Sequence, residues 1–387
     1  MPARRLYPVM LLLVVLAVMS NVGIASAQDS RPTLRISGAE EVLFDDRNSD
    51  CPIRQLPDSP ARAVRQANGE IVLFATFETN WFLTGTNWDS LGANCKSAGH
   101  ASQNADPEAV DDKYWIQALY TLDGRDFIAL GSHEYLGTRH PGMCHYKAQG
   151  TMPPPCWYSS ITQYVSHGDA MHFVPADIQR VVATPQMPFN PDSVRRVGYF
   201  TTSNIVAKDG YRYVLIFATE SATQKPGNCL FRSRLTDGPS PWLAWDGSDF
   251  TVDLSHVASE AAQKSAACQP VRGLGHEARG LLWWPQENVW LTVYTGRVGT
   301  RTGLVAATSK DMLNWGNEQL LLEAPLTRRE PDCAPVYRYP SIIDHDAPGF
   351  TFETVEKRPY LYSTKILLDG CRQSARQIVR LPLKLGR

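Results

Sequence analysis

Three acidic residues stand at positions where their carboxyl groups could work as a pair. Asp58 precedes an apolar alternating segment, Glu134 follows His133 after another such segment, and Glu277 follows His276. Cleavage of a bond between two sugars needs one protonated and one ionised carboxyl group flanking that bond. The two groups need different environments, so that their pKa values separate. We therefore rank Asp58, Glu134 and Glu277 as candidate catalytic residues.

Each candidate acid also has a purely structural interpretation. Asp58 could cap the loop before a strand, as aspartates in turns commonly do. Glu134 could belong to a polar rim with hydrogen-bonded histidines. Glu277 could pair with Arg279, two residues further along. The sequence leaves these alternatives open.

Arginine, amide, imidazole and indole side chains near the acids predict contacts to a ligand. Arg62 and Arg279 could grip a carboxylate or a sulfate with two hydrogen bonds, or could hold a neighbouring carboxylate in a structural ion pair. Asparagine binds hydroxyl groups, and tryptophan offers a flat face to a sugar ring, although most tryptophans pack in cores. The predicted ligand-binding residues are Arg62, Asn80, Trp81, His133, Asn204, His276 and Arg279.

Metal and serine-hydrolase chemistry find little support in the residue pattern. The spacing of His133, His140 and His145 fits no strict ligand pattern, and the chain has neither a C-x-x-C nor a G-x-S-x-G motif. The segment 344–346, Asp-His-Asp, could offer oxygen ligands to calcium. We predict no cofactor and no catalytic metal, with a structural calcium ion as an open alternative.

The elements that position these residues read as β-strands. Short runs rich in Val, Ile, Tyr, Phe and Trp alternate with turn residues, and the chain contains 27 Gly and 27 Pro. One phrase recurs, consisting of an entry segment, a turn and an aromatic strand. Its five copies span 60–74, 115–130, 199–217, 278–294 and 339–363. Only the stretch 257–267 is typical of a short helix.

A second phrase, a strand followed by an Asp turn or an aromatic residue, occurs at 161–166, 229–233 and 304–309. Two hairpins per copy would make a four-stranded sheet, and radial repetition of such sheets gives a propeller. We predict an all-β, five-bladed β-propeller of four-stranded blades, closed by pairing of 33–44 with 377–383. A β-sandwich and a six-bladed ring are the alternatives.

The N-terminal residues predict export. A basic start and an apolar run from Val9 to Met19 precede the small residues Ala25, Ser26 and Ala27, which is the layout of a cleaved secretory signal. We therefore predict a signal peptide at 1–27 and a single domain at 28–387, secreted or periplasmic; an uncleaved N-terminal anchor is the alternative. The net charge of −1 favours neither nucleic acid nor a membrane surface as a partner.

The eight cysteines favour disulfides, because an even number in an exported chain is typical of a disulfide framework. Pairing of nearest neighbours along the chain would join Cys51 to Cys95, Cys144 to Cys156, Cys229 to Cys268 and Cys333 to Cys371. Each bridge would then lie within one blade or its edge loop.

The phrase 307–315, Ala-Thr-Ser-Lys-Asp-Met-Leu-Asn-Trp, resembles an outer-strand phrase of the five-bladed propeller glycosidases, which include arabinanases, xylosidases and invertases. The entry 58–62, Asp-Ser-Pro-Ala-Arg, resembles their first-blade entry. The resemblance implies an aspartate base or nucleophile at Asp58, a glutamate acid on a later blade and a third carboxylate that tunes the pair. The third entry, 201–204, reads Thr-Thr-Ser-Asn and carries no carboxylate where the acid usually stands.

These observations together predict an exported glycoside hydrolase that cleaves a poly- or oligosaccharide. Asp58 would be the base or nucleophile, and Glu134 or Glu277 would be the acid. The alternative is a non-catalytic propeller that binds glycan or protein in its funnel. The lack of a carboxylate in the third entry segment, 201–204, favours that alternative. The clustered His, Glu and Arg residues favour a working catalytic site.

Overall fold

The fold is almost entirely antiparallel β-sheet. The computed structural model describes residues 31–146, 154–257, 266–327 and 333–386. Within these ranges the helical segments are three short 3-10 turns, at Asp46–Asn48, Pro107–Ala109 and Gly137–Arg139. The all-β prediction is therefore confirmed. The predicted signal peptide and most of the predicted helix at 257–267 lie outside the described residues.

The first sheet is a simple meander that follows the N-terminal strands β1 (Thr33–Ile36) and β2 (Glu41–Asp45). Each of its strands pairs with the next along the chain. They are β3 (Arg62–Arg65), β4 (Ile71–Phe74), β5 (Phe82–Gly85) and β6 (Gly92–Asn94). The turn at 66–70 between β3 and β4 uses Gly69 with a φ of 87°, a conformation that costs glycine little.

The second and third units share one eleven-stranded sheet. The second unit contains β7 (Tyr114–Thr121), β8 (Asp126–Leu136), β9 (Trp157–His167), β10 (Val174–Pro175) and β11 (Val181–Ala183). The third unit contains β12 (Arg196–Thr202), β13 (Val206–Lys208), β14 (Tyr211–Ala218), β15 (Gly227–Arg234), β16 (Trp242–Trp245) and β17 (Phe250–Val252). A short parallel pairing of β9 with β12 joins the two units.

The fourth unit is again a four-stranded meander, and the fifth contains both ends of the described chain. The fourth has β18 (Leu282–Trp284), β19 (Val289–Val298), β20 (Arg301–Ser309) and β21 (Trp315–Glu323). The fifth has β22 (Val336–Asp344), β23 (Pro359–Asp369) and β24 (Arg372–Gly386), and β24 also pairs with β1 and β2. The predicted pairing of 33–44 with 377–383 is therefore confirmed.

The hydrophobic cores lie between neighbouring units rather than inside them. Val72 of the first unit packs with Phe127 of the second, and Trp242 of the third packs with Ile161 of the second. Other clusters join the third unit to the fourth and the fourth to the fifth. A further cluster places Trp81 of the first unit against Tyr362 of the fifth, so the last unit packs on the first.

Arg62 joins the first strands of several units at the centre of the molecule. Its side chain is buried and donates hydrogen bonds to the carbonyl oxygens of Gln117, Thr202 and Arg279 at 2.7, 3.2 and 2.6 Å. These acceptors belong to the second, third and fourth units. A single guanidinium group can satisfy all three because its donors point in several directions within one plane.

The four disulfides confirm the predicted nearest-neighbour pairing, Cys51–Cys95, Cys144–Cys156, Cys229–Cys268 and Cys333–Cys371. Each bridge stays within one unit and its flanking loops, and none joins two units. In the described part of the chain, no helix is long and apolar enough to cross a membrane.

Candidate active site

The candidate acids come together because of hairpin geometry. Asp58 lies in the loop before β3, Glu134 lies near the end of β8, and Glu277 lies in the loop before β18. In an antiparallel hairpin the start of the first strand and the end of the second lie at the same edge. All three acids are therefore brought to one end of the molecule, around the first strands of the units.

Asp58 and Glu134 line one cavity of about 290 Å³. Its remaining walls come from the second, third, fourth and fifth units. They are formed by Trp115, Gln117, Trp157, Arg196, Thr201, Arg279, Tyr339 and Arg376. An adjoining cavity of about 310 Å³ contains His276 and Glu277, and it shares Arg279 and Tyr339 with the first.

Three residues of the cavity wall lie where the first strand of a unit has an irregular pairing register. The register of pairing shifts at Gln117 in β7, at Thr201 in β12 and around Tyr339 in β22. Thr201 and Tyr339 have positive φ angles of 63° and 54°. Bulges of this kind redirect side chains locally, and here the irregular positions supply three of the residues that line the cavity with Asp58 and Glu134.

Asp58 is held by two donors from the fifth unit. The hydroxyl of Tyr339 donates to Asp58 Oδ1 at 3.0 Å, and the guanidinium group of Arg376 donates to the same oxygen. Arg376 also donates to the carbonyl oxygen of Pro57 at 3.0 Å. These contacts hold the carboxyl group of Asp58 in a fixed orientation. They are not the loop cap that the sequence left open for Asp58.

Glu134 occupies a different environment. Its side chain is 15% exposed and accepts one hydrogen bond, at 3.0 Å, from Arg196. Burial raises the pKa of Glu134 to about 7; the charge of Arg196 opposes this shift, and the charge of Asp58 adds to it. Near neutral pH, a substantial fraction of Glu134 is therefore protonated, as a general acid requires.

Arg196 is fixed by aromatic rings as well as by Glu134. Its guanidinium carbon lies 3.3 Å from the ring centroid of Phe200 and 4.0 Å from that of Trp157. Arginine stacks well on aromatic faces, and such contacts restrict its side chain. Burial lowers the pKa of Arg196, and the charge of Glu134 opposes that shift.

Glu277 forms an ion pair with Arg279. The sequence had left this pair open as the structural alternative to a catalytic role for Glu277. Its carboxylate also lies 3.5 Å from the hydroxyl of Thr201. Next to it, the imidazole ring of His276 stacks on Tyr294 with ring centroids 5.7 Å apart. Glu277, His276 and Arg279 thus form one wall of the adjoining cavity.

The other predicted ligand-binding residues do not line either of these two cavities. Asn80 is fully buried and bonds to the backbone of Gly99, Tyr114 and Ile116. The indole of Trp81, also buried, donates to Leu56 O at 3.1 Å.

The remaining three are also engaged with protein groups. Arg62 bonds to the carbonyl groups described above, and both atoms of the Asn204 amide bond to the backbone of Leu281. His133 accepts from the amide of Asp112 at 2.9 Å, and burial lowers its pKa to about 3. Since their polar groups already have protein partners, we do not include these five residues in the proposed site.

The residues considered as metal ligands are likewise engaged with protein groups. Both oxygens of Asp344 accept backbone amides, from Asp346, Glu356, Lys357 and Arg358. The described residues include no group of three or more His, Cys, Asp or Glu side chains arranged to hold a metal ion.

The sequence missed several cavity residues. Trp115, Gln117 and Tyr339 lie in the entry segments of the repeat, so their position in the repeat was a usable signal. Arg196 starts β12 just before the third entry segment. Arg376 carried no such signal, because its contact with Asp58 spans 318 residues of chain.

Comparison with known proteins gives structural neighbours only. No family model and no curated protein matches the sequence. One similar solved structure is an α-L-arabinanase from Cellvibrio cellulosa complexed with arabinohexaose. The two sequences are 13% identical, the match covers 85% of this chain and 92% of that chain, and the TM-score is 0.44. A GH43_1 enzyme from Xanthomonas citri matches at 11% identity, 85% and 89% coverage and a TM-score of 0.45.

A third neighbour is an N-acetylgalactosamine deacetylase from F. plautii, in complex with blood group B trisaccharide. It matches at 13% identity, 91% and 95% coverage and a TM-score of 0.44. The solved structures similar to this chain thus include an arabinanase, one of the enzyme groups that the sequence motifs resemble.

Proposed function

We propose that this chain is an exported glycoside hydrolase built on a five-bladed β-propeller. The five units packed in sequence, with the last against the first, support this blade count. Four disulfides support export, because such bridges persist in oxidising compartments. The predicted signal peptide at 1–27 belongs to the same proposal, as does a single domain over 28–387.

The observation that carries the proposal is the contrast between Asp58 and Glu134 in one cavity. Asp58 receives hydrogen bonds from Tyr339 and Arg376, whereas burial raises the pKa of Glu134 to about 7. This contrast supports acid–base cleavage of a glycosidic bond, which uses two carboxyl groups in different environments.

In the proposed reaction, protonated Glu134 donates its proton to the glycosidic oxygen as the bond to the anomeric carbon breaks. The carboxylate of Asp58 either attacks that carbon or removes a proton from the attacking water. Trp115 and Trp157 in the cavity wall offer aromatic faces for sugar rings. Glu277 would be the third carboxylate, acting through Arg279.

The second candidate function is glycan binding without turnover. It is favoured by the pairing of each acid with an arginine, Asp58 with Arg376, Glu134 with Arg196 and Glu277 with Arg279. Such pairs can also be purely structural. A non-catalytic protein would bind oligosaccharides and release no reducing ends.

A screen of the purified protein on polysaccharides tests the proposal. We expect release of reducing sugar from at least one substrate, and loss of roughly 100- to 10,000-fold in activity for Asp58→Asn and for Glu134→Gln. Asp369→Asn, at an exposed aspartate at the end of β23, is the matched control. Unchanged activity in Asp58→Asn would remove Asp58 from the mechanism, and binding without turnover would support the second candidate.

A further inference from the structure

Each of the three carboxylates that the described residues contribute to the walls of the two joined cavities is paired with one arginine. The pairs are Asp58 with Arg376, Glu134 with Arg196 and Glu277 with Arg279. When Glu134 carries the proton that a general acid needs, its negative charge no longer balances the charge of Arg196.

Arg62 adds a further positive charge beneath the cavity. Its Nη2 donates to the carbonyl oxygen of Arg279, and in the described residues its side chain donates to carbonyl oxygens only. Among the described residues, no carboxylate forms an ion pair with Arg62. A buried cation of this kind raises the potential in the neighbouring cavity, because the surrounding protein screens it weakly.

Arg279 lies next to Arg62 and lines both cavities. Its Nη2 donates to Glu277, and in the described part of the chain its Nε and Nη1 form no hydrogen bond with protein groups. The side chain is 15% exposed and lines both cavities. Arg279 therefore has donors left for a ligand, on a side chain already oriented by Glu277 and by the ring of Tyr339, whose centroid is 5.1 Å away.

We propose that the cavity takes a negatively charged sugar, one that bears a carboxylate or a sulfate, and that Arg279 contacts the charged group. A neutral sugar would leave the excess of guanidinium charge uncompensated, whereas an anionic group would form charge-assisted hydrogen bonds with it. The inference rests on the proposed function for the position of the sugar, and it adds the chemical class of substrate.

Binding measured on the Asp58→Asn protein tests this inference without relying on turnover. The probes are a panel of uronate-containing, sulfated and neutral oligosaccharides of equal length, and calorimetry gives their affinities. The uronate arm contains tetragalacturonate beside its neutral methyl ester, and the sulfated arm contains carrageenan tetrasaccharides beside their desulfated forms. The set of charged probes that binds more tightly, uronate or sulfated, identifies the anionic group that the cavity prefers.

We expect the best charged probe to bind at least tenfold more tightly than its neutral counterpart, with an affinity that falls as salt concentration rises. Adding Arg279→Gln should reduce that ratio about tenfold, and Arg279→Lys should restore part of it. Arg301→Gln, which removes an exposed arginine paired with Glu323, is the matched control and should leave the ratio unchanged. Thermal unfolding of each variant checks that it is folded.

Three results would overturn the inference: neutral probes that bind as tightly as charged ones, a ratio insensitive to Arg279→Gln, or no binding by any probe. Failure of the proposed function is distinguishable from these results. It would appear as absence of hydrolysis by the wild-type protein, whatever the ratio of affinities.

Discussion

The hydroxyl of Tyr339 lies 3.0 Å from Oδ1 of Asp58 and donates a hydrogen bond to it, although 281 residues separate the two in sequence. Tyr339 stands at the irregular part of β22 in the fifth unit, and Asp58 stands in the loop that enters the first. The contact joins the two ends of the repeat at the candidate active site. It therefore depends on the packing of the fifth unit against the first.

Tyr339→Phe should reduce kcat/KM roughly 10- to 100-fold, because a hydrogen bond to a charged group contributes about 1.5–3 kcal/mol. The ring is retained, so the temperature of unfolding should fall by only about a few degrees, and the variant should stay folded. The measurement is hydrolysis of whichever polysaccharide the wild-type protein cleaves. Tyr360→Phe removes a hydroxyl away from the cavity and serves as the control. Equal activity in both variants would show that Tyr339 does not position Asp58.

The pKa of Glu134, raised by burial to about 7, predicts the shape of the pH profile. A general acid works in its protonated form, so kcat/KM should fall tenfold per pH unit above about pH 7. Glu134→Gln should lower activity and abolish this alkaline limb. The profile is measured with one substrate between pH 5 and 9. A limb that persists in Glu134→Gln would assign the titration to another group.

Removal of Arg62 should destabilise the protein rather than weaken ligand binding alone. Arg62→Met would leave three buried carbonyl oxygens without their donor, at a cost of about 3 kcal/mol or more. Arg62→Lys should be intermediate, because one ammonium group cannot reach all three acceptors. Urea unfolding gives these free energies. A folded, fully stable Arg62→Met protein would contradict a structural role for this side chain.

Glu353 should make stability depend on pH. Its side chain accepts the amide of Ala207 at 3.3 Å and the hydroxyl of Thr351 at 3.2 Å, and burial raises its pKa to about 7. The folded state then binds a proton that the unfolded state releases near pH 4.5. The free energy of unfolding should therefore decrease as pH rises from about 4.5 to about 7 and level off above.

Glu353→Gln removes this contribution, so its unfolding temperature should fall less than that of the wild type between pH 5 and pH 8. A difference of about 2 °C or more is expected for a chain of this size. Glu323→Gln, at an exposed site, is the control. Parallel pH profiles for all three proteins would show that Glu353 is not the group responsible.

The disulfides should differ in their contribution to stability. Cys51 and Cys95 are 44 residues apart, and Cys144 and Cys156 are 12 apart. Loop entropy in the unfolded chain predicts about 4 kcal/mol for the first bridge and about 3 kcal/mol for the second. Replacement of each pair by serine, followed by urea unfolding, compares them. A greater loss from the shorter loop would mean that native-state contacts outweigh chain entropy.

Much of the secondary structure could be predicted from local pattern. All five copies of the repeat form antiparallel hairpins. In the first three copies, alternating aromatic strands flank an Asn-Gly or Asp-Gly turn, a local pattern that specifies strand pairing. The nearest-neighbour disulfide pairing followed from the same locality, since each bridge closes within one unit. Asp58 and Glu134 were identified from their places beside these strands.

The partners of those acids depended on tertiary structure. Arg376 reaches Asp58 only because β24 returns to pair with β2, and Arg196 reaches Glu134 only because β12 pairs with β9. Asn80, Trp81 and Asn204 have the residue types of a sugar site, yet packing between units encloses their polar groups. The sequence by itself determined the strands, their turns and the local disulfides, since these depend on neighbouring residues. Only the tertiary structure decided which side chains face the cavity, because that depends on contacts between units far apart along the chain.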